Sequence, residues 1–546
     1  MMLSLAAAAA PAAGQTFTTM VQAPDAVALA TDVYCPLPGC LGRWPVVLQR
    51  TPYGKSGLKD TCGVFVFLGY VCVAQDERGR GASEGTYTGY RDEGPDGRAT
   101  VEWLDRQPWC DGNVGTFGAS ALGMTQYSMA PGAPPALKCQ VPIVGTPDFY
   151  HHAVYQGGAL RYGLAWHWLH DVGADALYDQ LAQHRLWDSW WEQWAVLPHV
   201  AEIDVPALHI GGWFDIFTQG TIDAFVAAQH RGGSGAAGRQ KLILGPWTHY
   251  SIGQTRAGAV EFPGNAFLLN DLITILRDWL DQWLKGEDHG VAAWPAVKVY
   301  LMGALDEPGA PGNTWVSLAD WPPGGGHESL YLSADGGLST APAATGEVTL
   351  VADPADPVPT WGGRELLDDF NDDGTPGSGM HDQRPIEARA DVLEFSSAAL
   401  MRPLTVMGRV ATRVWVRPDS PDLDLAVRLT DVYPDGRSML IADGIQRARM
   451  RCGDDRECFL TPGEPAELVV DLWSTAFVFA AGHRIRVDIA GSNAPRFEVN
   501  RNDGGDLDAP GGGVVAHPEI LLGGEHPSRI ELPAVRAPRR RIGSAP

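Results

Sequence analysis

The stretch Gly118-Ala119-Ser120-Ala121-Leu122-Gly123 decides the fold of this chain. The residues before it predict a strand, and the run that begins at Met124 predicts a helix. A serine at such a sharp turn is lifted out of the sheet, an arrangement called a nucleophile elbow. Glycines flank the serine because strand and helix pass so closely that a Cβ would collide there. The usual second glycine lies two residues after the serine, whereas here Leu122 fills that position and Gly123 follows.

The pattern of apolar runs divides the 546 residues into regions of different character. Over 16–146 and again over 199–322, strand-like runs alternate with amphipathic stretches, which predicts a mostly parallel α/β sheet. Strand signals are missing over 147–198, where we expect an inserted helical cap. Beyond the Pro- and Gly-rich break near residue 322, short alternating runs predict an all-β sandwich or jelly roll over 323–546.

A reactive serine needs a base, and the base needs an orienting carboxylate. On α/β sheets these groups follow in the order serine, acid, histidine, each on a turn after a strand. One predicted strand, 207–211, leads into Asp215, and another, 241–244, leads into His249. Both are therefore expected to join Ser120. Asp223 and His230 are rivals, but they fall inside the helix expected after Asp215, where reach to the serine is poor.

An oxyanion formed at Ser120 would need hydrogen-bond donors nearby. The backbone N–H of Ala121 is expected to supply one, because it opens the helix after the serine. The loop that follows the predicted strand at 45–49 contains Tyr53, whose phenol is the candidate second donor. Three aromatic residues beside the predicted acid and base are expected to line the substrate pocket: Trp213, Phe217 and Trp247.

Several ordered motifs resemble the bacterial cocaine esterase family of serine hydrolases, which includes Xaa-Pro dipeptidyl-peptidases and α-amino-acid ester hydrolases. They are RTPYGK (50–55), QDERGRG (75–81), GASALG (118–123), GWFD (212–215) and GPWTH (245–249). The resemblance implies an α/β-hydrolase domain with a helical cap and a C-terminal jelly roll. It also implies Ser120 as nucleophile, His249 as base, Asp215 as its orienting acid, and an oxyanion hole of Tyr53 and the Ala121 amide.

Departures from the family pattern narrow the expected substrate. Amino-acid ester hydrolases resemble one another in an acidic cluster that holds the substrate ammonium, but Phe217 and Thr218 stand where two of its acids are expected. A cap carboxylate expected near Ala153 is also missing, although Asp148 lies close by. We therefore expect a cofactor-free hydrolase of small acyl esters or amides. The alternatives are an Xaa-Pro dipeptidyl-peptidase and a non-catalytic protein that binds through its jelly roll.

Charge and composition exclude several partners. The chain carries 41 Lys and Arg against 65 Asp and Glu, a net charge of −24. Such a surface repels phosphate backbones and anionic lipid, and the main basic run, 539–541, lies in the tail. Neither nucleic acid nor a membrane is therefore an expected partner. No window is long and apolar enough for a transmembrane helix. The sequence leaves a homo-oligomer open.

Eight cysteines bear on the cellular compartment. Cys35 and Cys40 bracket one short turn and Cys452 and Cys458 another, spacings that suit local disulfides. The other four allow several pairings: Cys62, Cys72, Cys110 and Cys139. Residues 1–15 resemble the apolar part of a signal peptide but lack a basic start. We expect a secreted or periplasmic protein, with the cytoplasm as the alternative.

No metal site is expected from the motifs. Asp369–Gly374 fits the first half of a calcium loop, but Met380 stands where the twelfth-position glutamate is required, so a solvated acidic turn is favoured. No cysteine pair has CxxC spacing, and His151-His152 lacks the HExxH pattern.

Overall fold

The computed structural model describes residues 14–366, 376–508 and 512–535. Three features of the sequence lie wholly or mainly outside these residues: the calcium-like stretch 369–374, the basic run 539–541 and the leader-like segment 1–15.

The first half of the chain alternates strands and helices. The strands are β1 (Gly14–Gln22), β2 (Ala28–Cys35), β3 (Trp44–Thr51), β4 (Val71–Asp76), β5 (Cys110–Ala119), β6 (Leu137–Ile143), β7 (Tyr155–Gln156), β8 (Ala159–Leu160), β9 (Leu208–Phe214), β10 (Lys241–Thr248), β11 (Arg256–Ala257), β12 (Val260–Glu261), β13 (Val297–Gly303) and β14 (Thr314–Leu318). The helices are α1 (Lys59–Phe67), α2 (Glu93–Asp105), α3 (Ala121–Met129), α4 (Tyr162–Asp171), α5 (Asp175–Gln183), α6 (Ser189–Glu192), α7 (Thr218–Arg231) and α8 (Leu269–Leu280).

The main sheet runs in the order β1-β2-β4-β3-β5-β6-β9-β10-β13-β14. From β4 to β13 neighbouring strands are parallel, and antiparallel strands lie at both edges. The predicted mostly parallel sheet is confirmed. Since crossover helices cover parallel sheets on both faces, strands such as β4 and β9 are buried along their whole length.

The region between β6 and β9 is mainly helical and packs over the carboxyl end of the sheet. A π turn at Tyr150–Val154 opens it, the short hairpin β7–β8 follows, and α4, α5 and α6 complete it. Two separate helices, α5 and α6, occupy its second half. The hairpin has only two residues per strand, too few to leave a period-two signal.

The second half forms a β domain, which in its described residues contains one short α-helix, α9 (Arg384–Glu387). Its strands are β15 (Gly326–Leu332), β16 (Gly337–Ser339), β17 (Gly346–Thr349), β18 (Val392–Ser397), β19 (Leu404–Arg417), β20 (Asp424–Val432), β21 (Ser438–Arg447), β22 (Ala466–Phe479), β23 (Arg484–Ala490), β24 (Glu519–Leu522) and β25 (Arg529–Val535). β19 pairs with β22, β24 and β25, while β23 pairs with β18 and β20. The predicted β domain is confirmed, and its jelly-roll topology stays a prediction.

The two halves share one interior. Met302 and Gly303 at the end of β13 pair in parallel with Phe477 and Val478 of β22. One buried apolar cluster accordingly contains side chains of β9, β10 and β13 together with the strands of the β domain.

Three disulfides join cysteines within the described residues: Cys35–Cys40, Cys62–Cys72 and Cys452–Cys458. Cys110 and Cys139 are free and buried. In the described ranges, no helix combines the length and apolar character needed to cross a membrane.

Candidate active site

Three parallel strands bring the predicted triad together. Ser120 follows β5, Asp215 follows β9 and His249 follows β10. Because parallel strands end at the same edge of a sheet, residues far apart in sequence become neighbours there. The structure therefore places the three side chains in one cluster.

The hydrogen bonds within this cluster run in a single line. The Nε2 atom of His249 lies 2.9 Å from Ser120 Oγ, and its Nδ1 atom lies 2.6 Å from Asp215 Oδ1. Nδ1–H donates to the carboxylate, which leaves Nε2 bare to accept the serine proton. Asp215 is fully buried, and its Oδ2 accepts a hydrogen bond of 2.9 Å from the backbone N–H of Phe217. The carboxylate is thus fixed at both oxygens.

The turn at Ser120 has the backbone of a nucleophile elbow. Ser120 adopts φ 57° and ψ −122°, a region that residues other than glycine rarely occupy. A Cβ on Gly118 would lie 2.3 Å from the Cβ of Leu122. A Cβ on Gly123 would lie 2.9 Å from the carbonyl oxygen of Ile143. The shifted glycine of the motif is therefore required, because α3 crosses β6 at Gly123.

The two groups predicted as oxyanion donors both lie close to Ser120. Ala121 is the first residue of α3, so its N–H has no partner within the helix. The phenol of Tyr53 interacts with the Ser120 hydroxyl and accepts a hydrogen bond of 2.9 Å from Trp168 Nε1. Tyr53 is 49% exposed as a residue, but its hydroxyl is desolvated. This desolvation, together with the negative charge of Glu77, raises the pKa of Tyr53 to about 12. The phenol is therefore protonated at neutral pH and able to donate.

An apolar cavity opens on one side of Ser120. It encloses about 580 Å³, counting its mouth, between the cap and the turn at Phe217. No charged side chain lines it among the described residues. The lining comprises Gly89, Tyr90, Ser120, Ala121, Met124, Phe149, Ala153, Val154, Leu164, Ala165, Trp168, Leu169, Leu177, Leu181, Trp194, Ile216, Phe217 and Leu366. We call it the apolar cavity.

A wider cavity of about 1260 Å³, counting its mouth, opens on the other side of the serine. It contains both His249 and Tyr53 and carries several polar groups. The lining comprises Gln49, Tyr53, Leu58, Thr61, Phe117, Gly118, Ala119, Ser120, Leu122, Val144, Trp168, Asp171, Val172, His249, Tyr250 and Leu366. We call it the wide cavity. Ser120 lies at the junction of the two.

Of the three aromatic residues predicted to line the pocket, the structure brings only Phe217 to it. Trp213 and Trp247 are fully buried and line neither cavity, which corrects that prediction. A Cβ on Gly212 would lie 2.2 Å from the Trp247 carbonyl oxygen, and one on Gly245 would lie 2.2 Å from the Trp247 ring. The Trp247 side chain therefore fills the interior beside these glycines. Trp213 Nε1 donates to the carbonyl oxygen of Tyr300 at 2.7 Å.

The rival acid and base lie away from the serine. Asp223 and His230 are both in α7, as expected. Asp223 accepts a hydrogen bond from Gln219, and His230 lies 3.0 Å from Asp320. Neither residue lines the apolar cavity or the wide cavity.

Asp148, the acid closest to the missing cap carboxylate, already has a partner. Its Oδ2 lies 2.8 Å from His151 Nδ1, and its Oδ1 accepts the backbone N–H of His151. Burial alone would raise the pKa of the Asp148 carboxyl group. The imidazoles of His151 and His152 outweigh burial and lower this pKa to about 2. The apolar cavity is lined instead by Ala153.

Sequence reasoning missed Trp168, which lines both cavities and binds the phenol of Tyr53. Its position in a tryptophan-rich stretch indicated an aromatic region but not which ring reaches the serine. It also missed Leu366, which lines both cavities from the β domain, between β17 and α9.

A curated relative matches nearly the whole chain. The chain is 32% identical over 591 aligned residues to the cocaine esterase of Rhodococcus sp. (strain MB1 Bresler), covering 95% of this chain and 98% of that one. The chain belongs to the cocaine esterase family. It is a serine hydrolase, and the resemblance found in the sequence is confirmed.

Family models and solved structures agree with this family assignment. The model described as X-Pro dipeptidyl-peptidase (S15 family) matches residues 25–183 and 168–251, and that of the X-Pro dipeptidyl-peptidase C-terminal non-catalytic domain matches 289–531. An aminopeptidase from a marine sediment Thaumarchaeota archaeon superposes with a TM-score of 0.81 at 25% identity, covering 96% of both chains. An α-amino acid ester hydrolase superposes with a TM-score of 0.80 at 26% identity, covering 96% of this chain and 98% of that one.

Proposed function

We propose that this member of the cocaine esterase family cleaves carboxylic esters with an uncharged, apolar acyl group through an acyl-enzyme on Ser120. The observation that carries the proposal is the apolar cavity, which reaches Ser120 and Ala121 and has no charged lining residue in the described part of the chain. Burying an unpaired ammonium there would cost several kcal/mol, on the order of the desolvation penalty of an ion. Apolar acyl groups carry no such penalty.

The proposed reaction uses the hydrogen-bonded line of the triad. His249 Nε2 takes the Ser120 proton as Oγ attacks the ester carbonyl carbon, and Asp215 stabilises the resulting imidazolium. The negative charge on the carbonyl oxygen is bound by the Tyr53 phenol and the Ala121 N–H. The imidazolium then gives its proton to the leaving alkoxide. Water then attacks the acyl-enzyme while His249 takes its proton, and His249 returns that proton to Ser120 Oγ as the acid leaves.

The position of His249 indicates which part of the substrate occupies which cavity. The leaving group must receive its proton from His249, and of the two cavities only the wide cavity includes that residue. We therefore place the alcohol part of the ester in the wide cavity. The acyl part then lies in the apolar cavity, against side chains such as Phe217 and Leu169.

The family names also include X-Pro dipeptidyl-peptidases, and this alternative function requires a charged group in the site. In such a substrate the acyl part ends in an ammonium group, which needs a carboxylate near the apolar cavity. Phe217 and Ala153 stand at that cavity, and Asp148 is bound to His151. These side chains favour the esterase.

The test compares a p-nitrophenyl benzoate or butyrate with glycyl-prolyl p-nitroanilide on the same preparation. We expect serine-dependent release of nitrophenol and little release of nitroaniline. Ser120→Ala should lower ester turnover by a factor on the order of 10⁴ or more while the melting temperature stays within a few degrees. Faster cleavage of the anilide than of the ester would overturn the acyl preference. Full activity in Ser120→Ala would overturn the assignment of the nucleophile.

We also propose that the protein is exported to an oxidising compartment. Three disulfides in the described residues support this, since such bonds are rare in reducing compartments. Protein isolated without reductant and then denatured should show two reactive thiols per chain, from Cys110 and Cys139. Eight reactive thiols in protein purified from its native host would contradict the proposal.

A further inference from the structure

A group of side chains that could bind a metal ion lies at the end of α8, apart from the triad. After α8 the chain makes a π turn, Asp281–Lys285, and ends it at Gly286 with φ 71°. The next residues fold back, and the backbone N–H of Glu287 donates to the Asp281 carbonyl oxygen at 3.2 Å. This turn brings the side chains of Asp281, Glu287 and His289 together.

The distances in this group suit a shared ion better than hydrogen bonds. His289 Nε2 lies 3.5 Å from Asp281 Oδ2 and 3.5 Å from Glu287 Oε2. The atom is buried and makes no hydrogen bond, and 3.5 Å is beyond the usual range for N–H···O bonds. Tetrahedral ligands bound at about 2.0–2.2 Å lie about 3.4 Å from one another.

Neighbouring groups orient Asp281, the one buried residue of the three, and flank His289. The Asp281 side chain is 6% exposed, and Lys285 Nζ and the phenol of Tyr70 both bind its Oδ1. Oδ2 is thereby turned towards His289. On the other side of the imidazole, Asp278 Oδ1 lies 3.5 Å from Nδ1. Hydrogen bonds to a ligating carboxylate are usual around bound zinc.

We propose that Asp281 Oδ2, Glu287 Oε2 and His289 Nε2 bind a divalent transition-metal ion of the Zn²⁺ class, with water as the fourth ligand. One imidazole with two carboxylates favours such an ion over Mg²⁺ or Ca²⁺, which take oxygen ligands. No motif marks these residues in the sequence, because their spacing matches none of the common zinc patterns. The proposed site differs from the expectation, based on sequence motifs, that the protein has no metal site.

The location indicates a structural role. The π turn packs on β3, β5 and β6, and a Cβ on Gly115 would lie 3.0 Å from Leu284 Cδ1. Glu287 and Lys285 lie beside Trp44 and Asp111, near the amino ends of β3 and β5. Ser120 follows the opposite end of β5. Bound metal should therefore hold the end of α8 against the sheet and raise thermal stability, with little effect on turnover.

The test uses the full chain, dialysed against a chelator and titrated with Zn²⁺ alone. We expect one equivalent to bind by calorimetry and to raise the melting temperature by about 2 °C or more. Co²⁺ should give the visible absorption bands of a tetrahedral site. Mg²⁺ at the same concentration should give neither effect.

Two variants and a matched control assign the ligands. His289→Ala and Glu287→Ala should each weaken Zn²⁺ binding at least about tenfold; Glu287 is 57% exposed, so that variant should fold. The control is His199→Ala, because His199 pairs with Glu202 at 3.0 Å on the surface. Absence of Zn²⁺ binding by the unaltered protein, or equal loss in the control, would overturn the proposal. Unchanged binding in both test variants would do so as well.

Discussion

The carbonyl oxygen of Ile143 lies so close to Gly123 that a Cβ on this glycine would be 2.9 Å from it. The same oxygen accepts the backbone N–H of Ser120 at 2.9 Å. A side chain at Gly123 would therefore push on the group that holds the nucleophile in its turn. This explains why a glycine is needed three residues after the serine here, while Leu122 is accepted at the usual glycine position.

Gly123→Ala should impair both stability and turnover. The added methyl must displace β6 or α3, which costs about 1–3 kcal/mol for an overpacked interior, and any shift moves Ser120 relative to His249. We expect a lower melting temperature and a lower kcat on a p-nitrophenyl ester. The control is Gly63→Ala, since Gly63 is also helical but a Cβ there meets nothing within 4 Å. Equal effects of the two changes would contradict this explanation.

Tyr53→Phe tests the proposed phenolic donor. Removing one oxyanion donor lowers kcat on the order of 10²–10³-fold, while KM should change little because the ring remains. Steady-state kinetics on an apolar ester measure both constants. The control is Tyr162→Phe, on the same helix as Trp168, where the ring stacks on Trp166. A kcat for Tyr53→Phe equal to that of the control would remove the phenol from the mechanism.

Ala153→Glu tests the apolar cavity as the acyl site. The new carboxylate would enter a space without a charged partner, so kcat/KM for p-nitrophenyl benzoate should fall about tenfold or more. Ala153→Gln adds similar bulk without charge and separates the electrostatic effect from the steric one. We expect the glutamine variant to keep more activity than the glutamate variant. If kcat/KM for the ester is the same in both variants as in the unaltered protein, the acyl group does not occupy the apolar cavity.

The triad could be predicted from the sequence because it depends on chain order at strand ends. Each parallel strand ends at the same edge, so a polar residue after 207–211 or 241–244 has a defined place in the fold. The pocket could not be predicted in the same way. Successive residues of a strand point to opposite faces, and the motif does not say which face of the sheet carries the cavity. Trp247 and Trp213 accordingly lie in the interior.

The cap contacts depend on long-range packing that no local pattern records. Trp168 reaches Tyr53 across 115 residues of sequence, and His151 reaches Asp454 across 303. Helical periodicity in the cap predicts which residues are apolar. It does not predict which of the many aromatic rings faces the serine, because that depends on how α4 sits on the sheet.

His151 connects the cap to the β domain. Its Nδ1 atom lies 2.8 Å from Asp148 and its Nε2 atom 2.9 Å from Asp454, which stands between the disulfide cysteines Cys452 and Cys458. The backbone N–H of Trp187 also donates to the Asp454 carbonyl oxygen. Burial lowers the pKa of an imidazole, but the two carboxylates outweigh it and raise that of His151 to about 10.

This raised pKa makes the contribution of His151 to stability depend on pH. The folded pKa lies above the unfolded value of 6.5, so the contribution is complete below pH 6.5 and is lost as pH rises through 10. At acid pH the contact is limited by Asp148, whose pKa is lowered to about 2. The contribution of this carboxylate to stability is lost as pH falls from 3.8 through 2. His151→Asn should therefore lower the melting temperature more at pH 6 than at pH 10.5. The surface variant His199→Asn should show little difference between the two, and an equal loss in His151→Asn at both pH values would show that this imidazole contributes no charge.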